Sequence, residues 1–178
     1  MMKENLQMVV VGLGGQGVIL FTRILGEWAL SAGYRVLATE THGMATRGGS
    51  VTAHVKLGDH HFPLIMKGRA QVALALAPSE EPRAKEYLAP EGLLVTNRKG
   101  KGEEKGVLPI PAGELALEEL GSPLYANLVM LGAIGCKVLG ASKESLLEAV
   151  KKVVGNRRLD KNARALELGY KEANHVTT

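Results

Sequence analysis

Residues 6–18 read LQMVVVGLGGQGV and join a short β-branched run to a glycine-rich turn. The run at 6–11 has the length and composition of a strand buried on both faces. Gly12, Gly14 and Gly17 then match the pattern Gly-x-Gly-x-x-Gly at the point where a helix should begin. In such a turn the first glycine permits the bend, the second lets a phosphate approach the backbone, and the third lets helix and strand pack closely. The stretch therefore predicts the opening strand, turn and helix of a Rossmann-like domain.

The segment after the turn predicts the rest of a strand–helix–strand unit. A helix is predicted over residues 16–32, with Gly33 as its stop signal, and a second strand over 35–39. Glu40 ends that strand and follows Gly17 by 23 residues. A dinucleotide-binding domain places its ribose-binding acid at about that distance. The glycine pattern alone does not separate a phosphate site from a tight turn with nothing bound.

The remaining sequence predicts a three-layer α/β domain, mostly a parallel sheet with an antiparallel hairpin, spanning 1–178 as a single unit. Alternating apolar residues at 51–57 predict a strand with one buried face, and Gly58-Asp59 predicts a turn into a partner strand at 60–65. Further strands are predicted at 71–77, 92–96 and 107–110. Helices are predicted from Ser79 to Leu88, over the apolar run 123–139, after Ser142 and from Asp160, with these three polar residues as caps.

A polar loop follows the second predicted strand, where residues 40–54 read ETHGMATRGGSVTAH. Such a mixture adds nothing to a core, and loops held by a rigid scaffold are where ligand and partner contacts concentrate. Open α/β sheets also bind ligands at the carboxyl ends of their strands, beside the glycine turn. The candidate site for a cofactor or a partner is therefore Gly12, Gly14, Gly15, Gln16 and Gly17 of the turn with Glu40, His42, Gly43, Met44, Arg47, Gly48 and Gly49 of the loop.

These side chains do not form a recognisable catalytic set. Arg47 can fork onto a phosphate or a carboxylate. His42 can act as an acid or base or donate to a backbone carbonyl, and the structural role is favoured for a single histidine. No carboxylate pair, Ser/His/Asp set or metal cluster can be assembled with it, so no catalytic residue and no metal site are predicted in this chain. Exposed or edge positions are predicted for His54, His60 and His61, and Asn127 is predicted to be a buried amide.

Composition excludes several classes of protein. The chain has 178 residues, a net charge of +4 and one cysteine. No aromatic residues lie among the basic residues of 98–105, a loop predicted to be polar and mobile, so nucleic-acid binding is not predicted. One cysteine, Cys136, cannot ligate an iron–sulfur cluster or form a disulfide within the chain. No leader or membrane-spanning run is evident, and a cytoplasmic protein is predicted.

The turn and the loop together resemble the gamma-type domain of the 2-oxoacid:ferredoxin oxidoreductase family. The resemblance lies in GLGGQGV at 12–18, ETHGMATRGGSV at 40–51 and AHV at 53–55. It continues through 63–65, 73–78, 127–132 and the closing residues 162–170, and so covers nearly the whole chain. The motifs THGM and RGGSV together are most similar to those of the small, beta subunits of the indolepyruvate enzymes.

The resemblance implies a non-catalytic subunit of a larger enzyme. Members of the family decarboxylate a 2-oxoacid on thiamine diphosphate with Mg²⁺, pass electrons through 4Fe-4S clusters to ferredoxin, and release an acyl-CoA. It implies a large alpha subunit that carries the thiamine and the clusters, with the candidate residues contacting either CoA or that subunit. Two alternatives stay open: a gamma subunit of a pyruvate, 2-ketoisovalerate or 2-oxoglutarate enzyme, and a stand-alone NAD(P)-binding protein that uses the turn and Glu40.

Overall fold

The computed structural model describes residues 5–42 and 48–176, except the side chain of His42. Six strands form one sheet in the order β2-β3-β1-β4-β5-β6. Their bounds are Leu6–Leu13 (β1), Val36–His42 (β2), Ser50–Leu57 (β3), Ala70–Ala75 (β4), Leu88–Thr96 (β5) and Val107–Pro109 (β6). β3 runs antiparallel to both of its neighbours, whereas β1, β4, β5 and β6 pair in parallel. The predicted α/β class with a mostly parallel sheet and an antiparallel pair is confirmed.

In the described residues, six α-helices accompany the sheet. Their bounds are Val18–Ser31 (α1), Glu81–Tyr87 (α2), Ala112–Leu120 (α3), Ala126–Ile134 (α4), Lys143–Val154 (α5) and Leu159–His175 (α6). The larger core cluster joins α1, α3, α4, α5 and α6 to one face of the sheet. A smaller cluster lies under α2 and Ile65 on the other face. The domain therefore has three layers: the sheet, a thick helical layer on one face, and a thin layer containing α2 on the other face.

The ends of α1 follow from its glycines. Gly17 precedes the helix with φ 81°, and Gly33 follows it with φ 86°, both in the left-handed region that favours glycine. At the carboxyl end the Gly33 N–H donates to Leu30 O and the Tyr34 N–H donates to Ala29 O, at 3.0 and 2.9 Å. These two bonds are those of a Schellman motif, so the predicted stop at Gly33 is confirmed.

β3 takes a position that the sequence did not indicate, between β1 and β2. Its residues 51–55 are buried on both faces, so the prediction of one buried face is wrong. The predicted partner strand at 60–65 is wrong as well, because that segment forms no strand. Both edges of β3 are already paired, with β1 and β2, which leaves no ladder for a further strand. The antiparallel hairpin is instead β2–β3, across the candidate loop.

Several local predictions also change. α3 was not predicted, although Ala112, Ala116 and Leu120 recur at the helical spacing and are buried. Ser142 caps α5 as predicted, since its hydroxyl accepts a hydrogen bond from the Ser145 N–H at 3.1 Å. Ser79 lies inside a 3₁₀ turn and Asp160 inside the first turn of α6, so neither is a cap.

The apolar run 123–139 is buried as predicted. It comprises a 3₁₀ turn, the helix α4 and a π-helical turn at Gly135–Leu139. α4 crosses α6 very closely, because a Cβ built on Gly169 would lie 1.9 Å from Val129 O. The absence of a side chain at Gly169 therefore sets the separation of these helices. Within the described ranges, no helix is both long and apolar enough to cross a membrane.

Candidate functional site

The glycine turn lies at the carboxyl end of β1 and is held against the start of α4. Gly15 and Gly17 adopt φ values of 91° and 81°. A Cβ on Gly17 would fall 2.2 Å from Asn127 Nδ2, whereas a Cβ on Gly15 would meet nothing within 4 Å. Asn127 is buried, as predicted, and its Oδ1 accepts a hydrogen bond from the Leu128 N–H at 2.9 Å. Gly17 therefore serves two purposes: it permits the left-handed bend and leaves room for a buried amide.

Three N–H groups of the turn already donate within the chain. The Leu13 N–H donates to Gln16 Oε1 at 2.7 Å, and the Gln16 N–H donates back to Leu13 O at 3.1 Å. The Gly14 N–H donates to Gly49 O at 2.9 Å. The Gln16 side chain thus occupies the Leu13 N–H, and backbone carbonyls occupy the other two N–H groups, all of which an anion would otherwise use. The first half of the turn therefore binds the backbone of Gly49, just before β3, rather than a free anion.

Gly48 and Gly49, at the end of the candidate loop, pack against the glycine turn. A Cβ on Gly14 would lie 3.7 Å from the Gly48 backbone, so Gly48 and Gly49 pass directly over the turn. The next residue, Ser50, donates from its hydroxyl to Glu80 Oε1 at 2.8 Å, and Arg83 Nε donates to Glu80 Oε2 at 3.1 Å. Two stretches that are far apart in the chain, Gly12–Gly17 and Gly48–Gly49, are therefore neighbours at one edge of the sheet.

Glu40 lies away from the turn. It pairs in register with Ala53 of β3, which pairs on its other side with Val10 of β1. Adjacent strands are about 4.8 Å apart, so Glu40 lies about 10 Å from β1. A dinucleotide-binding domain needs its ribose-binding acid on the strand next to β1. Here β3 occupies that place, and Glu40 Oε1 instead lies 3.5 Å from the Thr22 hydroxyl on α1.

Four of the candidate residues are placed only in part or not at all. Gly43, Met44 and Arg47 lie outside the described residues, and His42 is described only as the last backbone position of β2. Their predicted role in contacting a cofactor or a partner stays a prediction.

A cleft of about 220 Å³ opens beside the turn, at the carboxyl ends of the strands. Two asparagines that sequence reasoning did not choose as site residues line it, Asn97 and Asn127. The Asn97 amide bridges two elements, since its Nδ2 donates to Leu76 O at 2.9 Å and its Oδ1 accepts from the Gly113 N–H at 3.0 Å. The signal for Asn97 was available in the sequence, because a polar residue that directly follows a buried strand stands at the ligand-binding edge of the sheet.

The basic loop at 98–105 is attached to the body of the domain through Arg98. Its guanidinium contacts Glu81 Oε2 at 3.2 Å and Glu104 Oε2 at 2.8 Å. Burial tends to raise the pKa of Glu81, but the hydrogen bonds from Lys85 and Thr96 and the nearby positive charges outweigh it, so the pKa of Glu81 is lowered. Glu81 is therefore ionised at neutral pH and fixes the root of this loop.

His54 is a buried, structural histidine. His54 is 2% exposed, so the prediction of an exposed or edge position is wrong for this residue. Burial, with the charge of Lys56, lowers the pKa of His54 below its ordinary value. The neutral ring accepts a hydrogen bond from the Ile65 N–H at 3.3 Å and packs edge-on against Tyr87. In residues 5–42 and 48–176, no three His, Cys, Asp or Glu side chains are placed to hold a metal ion.

Comparisons with known proteins agree on one family. The family described as pyruvate ferredoxin/flavodoxin oxidoreductase matches residues 7–172. The indolepyruvate oxidoreductase subunit IorB of Archaeoglobus fulgidus is 35% identical, over 95% of this chain and 96% of its own length. The pyruvate/ketoisovalerate oxidoreductases common subunit gamma of Pyrococcus furiosus is 32% identical, over 90% of this chain and 93% of its own. The solved 2-oxoglutarate:ferredoxin oxidoreductase of Magnetococcus marinus has the same fold, with a TM-score of 0.80 at 24% identity; the match covers 98% of this chain and 32% of that longer one.

Proposed function

Because the chain belongs to the pyruvate ferredoxin/flavodoxin oxidoreductase family, we propose that it is the small subunit of an indolepyruvate:ferredoxin oxidoreductase. The holoenzyme would oxidatively decarboxylate an aryl 2-oxoacid to an acyl-CoA and reduce ferredoxin. The observation that carries this proposal is the 35% identity to an indolepyruvate oxidoreductase subunit over almost the full length of both chains. The sequence motifs THGM and RGGSV support the same assignment.

The chemistry of the side chains supports a non-catalytic role within that enzyme. A 4Fe-4S cluster needs four ligands, usually thiolates, and this chain has a single cysteine. Cys136 is partly buried, and its Sγ lies 3.3 Å from Asn174 Oδ1. The clusters would therefore lie on a larger alpha subunit, and in this proposal that subunit would also hold thiamine diphosphate and Mg²⁺, which would supply the decarboxylation chemistry.

An exposed apolar surface supports assembly with that subunit. Phe62, Leu64 and Met66 are 76%, 57% and 77% exposed although they lie within five residues of one another. The backbone that carries them is fixed, because Ile65 between them is buried and its N–H donates to His54. Apolar side chains displayed together on a fixed segment are typical of a protein interface. We call Phe62, Leu64 and Met66 the apolar patch.

The glycine turn and the candidate loop form a second contact region in this proposal. Gly14 of the turn contacts Gly48 and Gly49, and β3 begins directly after them, at the edge where α/β sheets meet their ligands. His42, Gly43, Met44 and Arg47 would then contact the large subunit or the CoA diphosphate. Since the turn uses three of its N–H groups internally, contact with the large subunit is the better supported role.

Two alternatives are distinguishable from this assignment. The 32% identity to a pyruvate/ketoisovalerate subunit supports a gamma subunit that serves an aliphatic 2-oxoacid, or 2-oxoglutarate. A stand-alone NAD(P)-binding protein receives little support, because Glu40 lies two strands from β1.

Coexpression with a candidate large chain that carries thiamine-binding and Cys-rich cluster motifs tests the assignment. We expect the two chains to copurify and to reduce ferredoxin with indolepyruvate and CoA, while neither chain alone is active. Turnover with aliphatic 2-oxoacids but not with indolepyruvate would contradict the substrate assignment. Tight binding of NADH by the chain alone, with no copurification, would contradict the subunit assignment.

Surface variants test how the two chains assemble. Changing Phe62, Leu64 and Met66 together to serine should abolish copurification and leave the thermal stability of the small chain nearly unchanged. Leu117→Ser is the matched control, since Leu117 is also exposed but lies on α3. Normal copurification of the triple variant would show that the apolar patch is not the interface.

A further inference from the structure

A second cleft, of about 330 Å³, lies among the helices and is not used by the proposed function. It is bounded by α1, by the start of α4, by α5 and by the turn before α6. Its floor is apolar and consists of Leu20, Ile24, Leu128, Val150 and Val154. Pockets for small molecules have volumes from roughly 300 to 1,000 Å³, mostly apolar linings and a few convergent polar groups. The volume and the lining of this cleft suit the apolar part of one small molecule.

Two buried asparagines supply polar groups to the cleft. Asn127 and Asn162 are 4% and 6% exposed, and both line it. The Asn162 Nδ2 donates to Arg157 O at 3.3 Å, and the Asn127 Oδ1 accepts from the Leu128 N–H. The other half of each amide has no hydrogen-bond partner among residues 5–42 and 48–176. The second polar atom of each amide is therefore open to water or to an occupant of the cleft.

Two arginines stand at the mouth of the cleft. Neither Arg157 nor Arg158 has a carboxylate within ion-pair distance in the described parts of the chain, whereas Arg164 nearby contacts both Glu119 and Glu167. Arg158 has φ 55°, the one positive φ of a non-glycine residue within the described ranges. A side chain in that conformation is strained relative to glycine. Strained backbone positions cluster at ligand-binding sites, so the conformation of Arg158 favours a binding role for this residue.

We propose that this cleft binds a small amphipathic carboxylate. Its apolar body would lie on the floor formed by α1, α4 and α5. Its carboxylate would lie at the mouth between Arg157 and Arg158, which can each donate two parallel hydrogen bonds. The free amide groups of Asn127 and Asn162 would orient a polar substituent near the junction. The proposal does not depend on the assignment of the chain as a subunit.

The position of the cleft connects it to the glycine turn. Leu124 and Asn127 line both this cleft and the smaller cleft at the strand ends. The Asn127 side chain also occupies the space that a Cβ on Gly17 would need. An occupant that hydrogen-bonds Asn127 therefore lies one side chain away from the turn.

Calorimetric titration of the full chain with 2-naphthoate tests the proposal, with 2-naphthalenemethanol as the uncharged match. We expect saturable binding of 2-naphthoate and at least tenfold weaker binding of the alcohol. Arg157→Gln and Arg158→Gly should each weaken 2-naphthoate binding by about tenfold, the loss expected for one charge-assisted contact. Arg158→Gly keeps the fold, because glycine accepts the positive φ.

Two further variants complete the test. Val154→Phe fills the floor at the end of α5 and should abolish binding of both compounds, while Lys137→Gln removes an exposed charge outside the cleft and should change neither. Absence of 2-naphthoate binding, or equal affinity of the wild-type chain and both arginine variants, would overturn the proposal. An active holoenzyme with no 2-naphthoate binding would refute the cleft alone and leave the subunit assignment standing.

Discussion

The contact between Gly17 and Asn127 is the best test of how the glycine turn is held. Gly15→Ala and Gly17→Ala place the same side chain at nearly the same backbone conformation, with φ 91° and 81°. Each should destabilise the domain by about 1–2 kcal/mol, the cost of a left-handed residue with a Cβ. Only the Cβ at Gly17 also meets a neighbour, at 2.2 Å from Asn127 Nδ2 and 3.2 Å from its Cγ.

The second part of the cost at Gly17 comes from displacing a buried group. Asn127 lies in the first turn of α4, which is buried on all sides, so it cannot move without moving the helix. Overpacking of this kind costs about 1–3 kcal/mol. We therefore expect about 2–5 kcal/mol for Gly17→Ala against about 1–2 kcal/mol for Gly15→Ala.

Urea unfolding monitored by fluorescence measures both values. Trp28 is the one tryptophan of the chain and is buried on α1, directly after the turn. The same two glycine variants are also made in an Asn127→Ala background, because removing the amide opens the space that the Cβ at residue 17 needs. Gly17→Ala should then cost no more than Gly15→Ala when both are measured in the Asn127→Ala background. Equal costs of the two glycine variants in the wild-type background, or an unchanged cost of Gly17→Ala without the amide, would refute the reasoning.

Three other outcomes are expected. Burial lowers the pKa of His54, so the unfolded chain binds a proton more tightly than the folded one. The contribution of His54 to the free energy of unfolding should be full above about pH 6.5 and should fall as the pH drops below it. His54→Gln should reduce this dependence of the urea midpoint on pH. Burial raises the pKa of Tyr170 to about 12, so its contribution should be lost between about pH 10 and 12, and Tyr170→Phe should abolish the last tyrosinate absorbance step. Gly169→Ala should cost more than 3 kcal/mol or prevent folding, because its Cβ would lie 1.9 Å from Val129 O, whereas Gly26→Ala within α1 should raise the melting temperature by removing a helical glycine. A higher melting temperature for Gly169→Ala would contradict the close helix crossing.

The sequence predicted the features that depend on neighbouring residues. The glycine turn, the end of α1 at Gly33, the cap at Ser142 and the burial of α4 follow from backbone conformation and hydrophobic spacing, and all four are confirmed. The same local evidence predicted the α/β class. The order of two motifs in the chain predicted the family before any comparison with other proteins.

The order of strands in the sheet could not be predicted in this way. β1, α1 and β2 form a strand–helix–strand unit in sequence, and nothing local reveals that β3 inserts between the two strands. That insertion moves Glu40 away from the turn and buries His54. Strand pairing is settled by contacts between residues that are distant in the chain, so it leaves no periodic signal in any one segment.

The sequence by itself determined the fold class and pointed to the family, because these follow from residue types, their spacing and the order of two motifs. Only the tertiary structure decided which of the candidate residues are neighbours. It placed Gly48 and Gly49 on the turn, set Asn127 above Gly17, and brought Arg157 and Arg158 to the mouth of an apolar cleft. The physical reason is that such contacts depend on how helices pack across the sheet, and packing is a property of the whole chain.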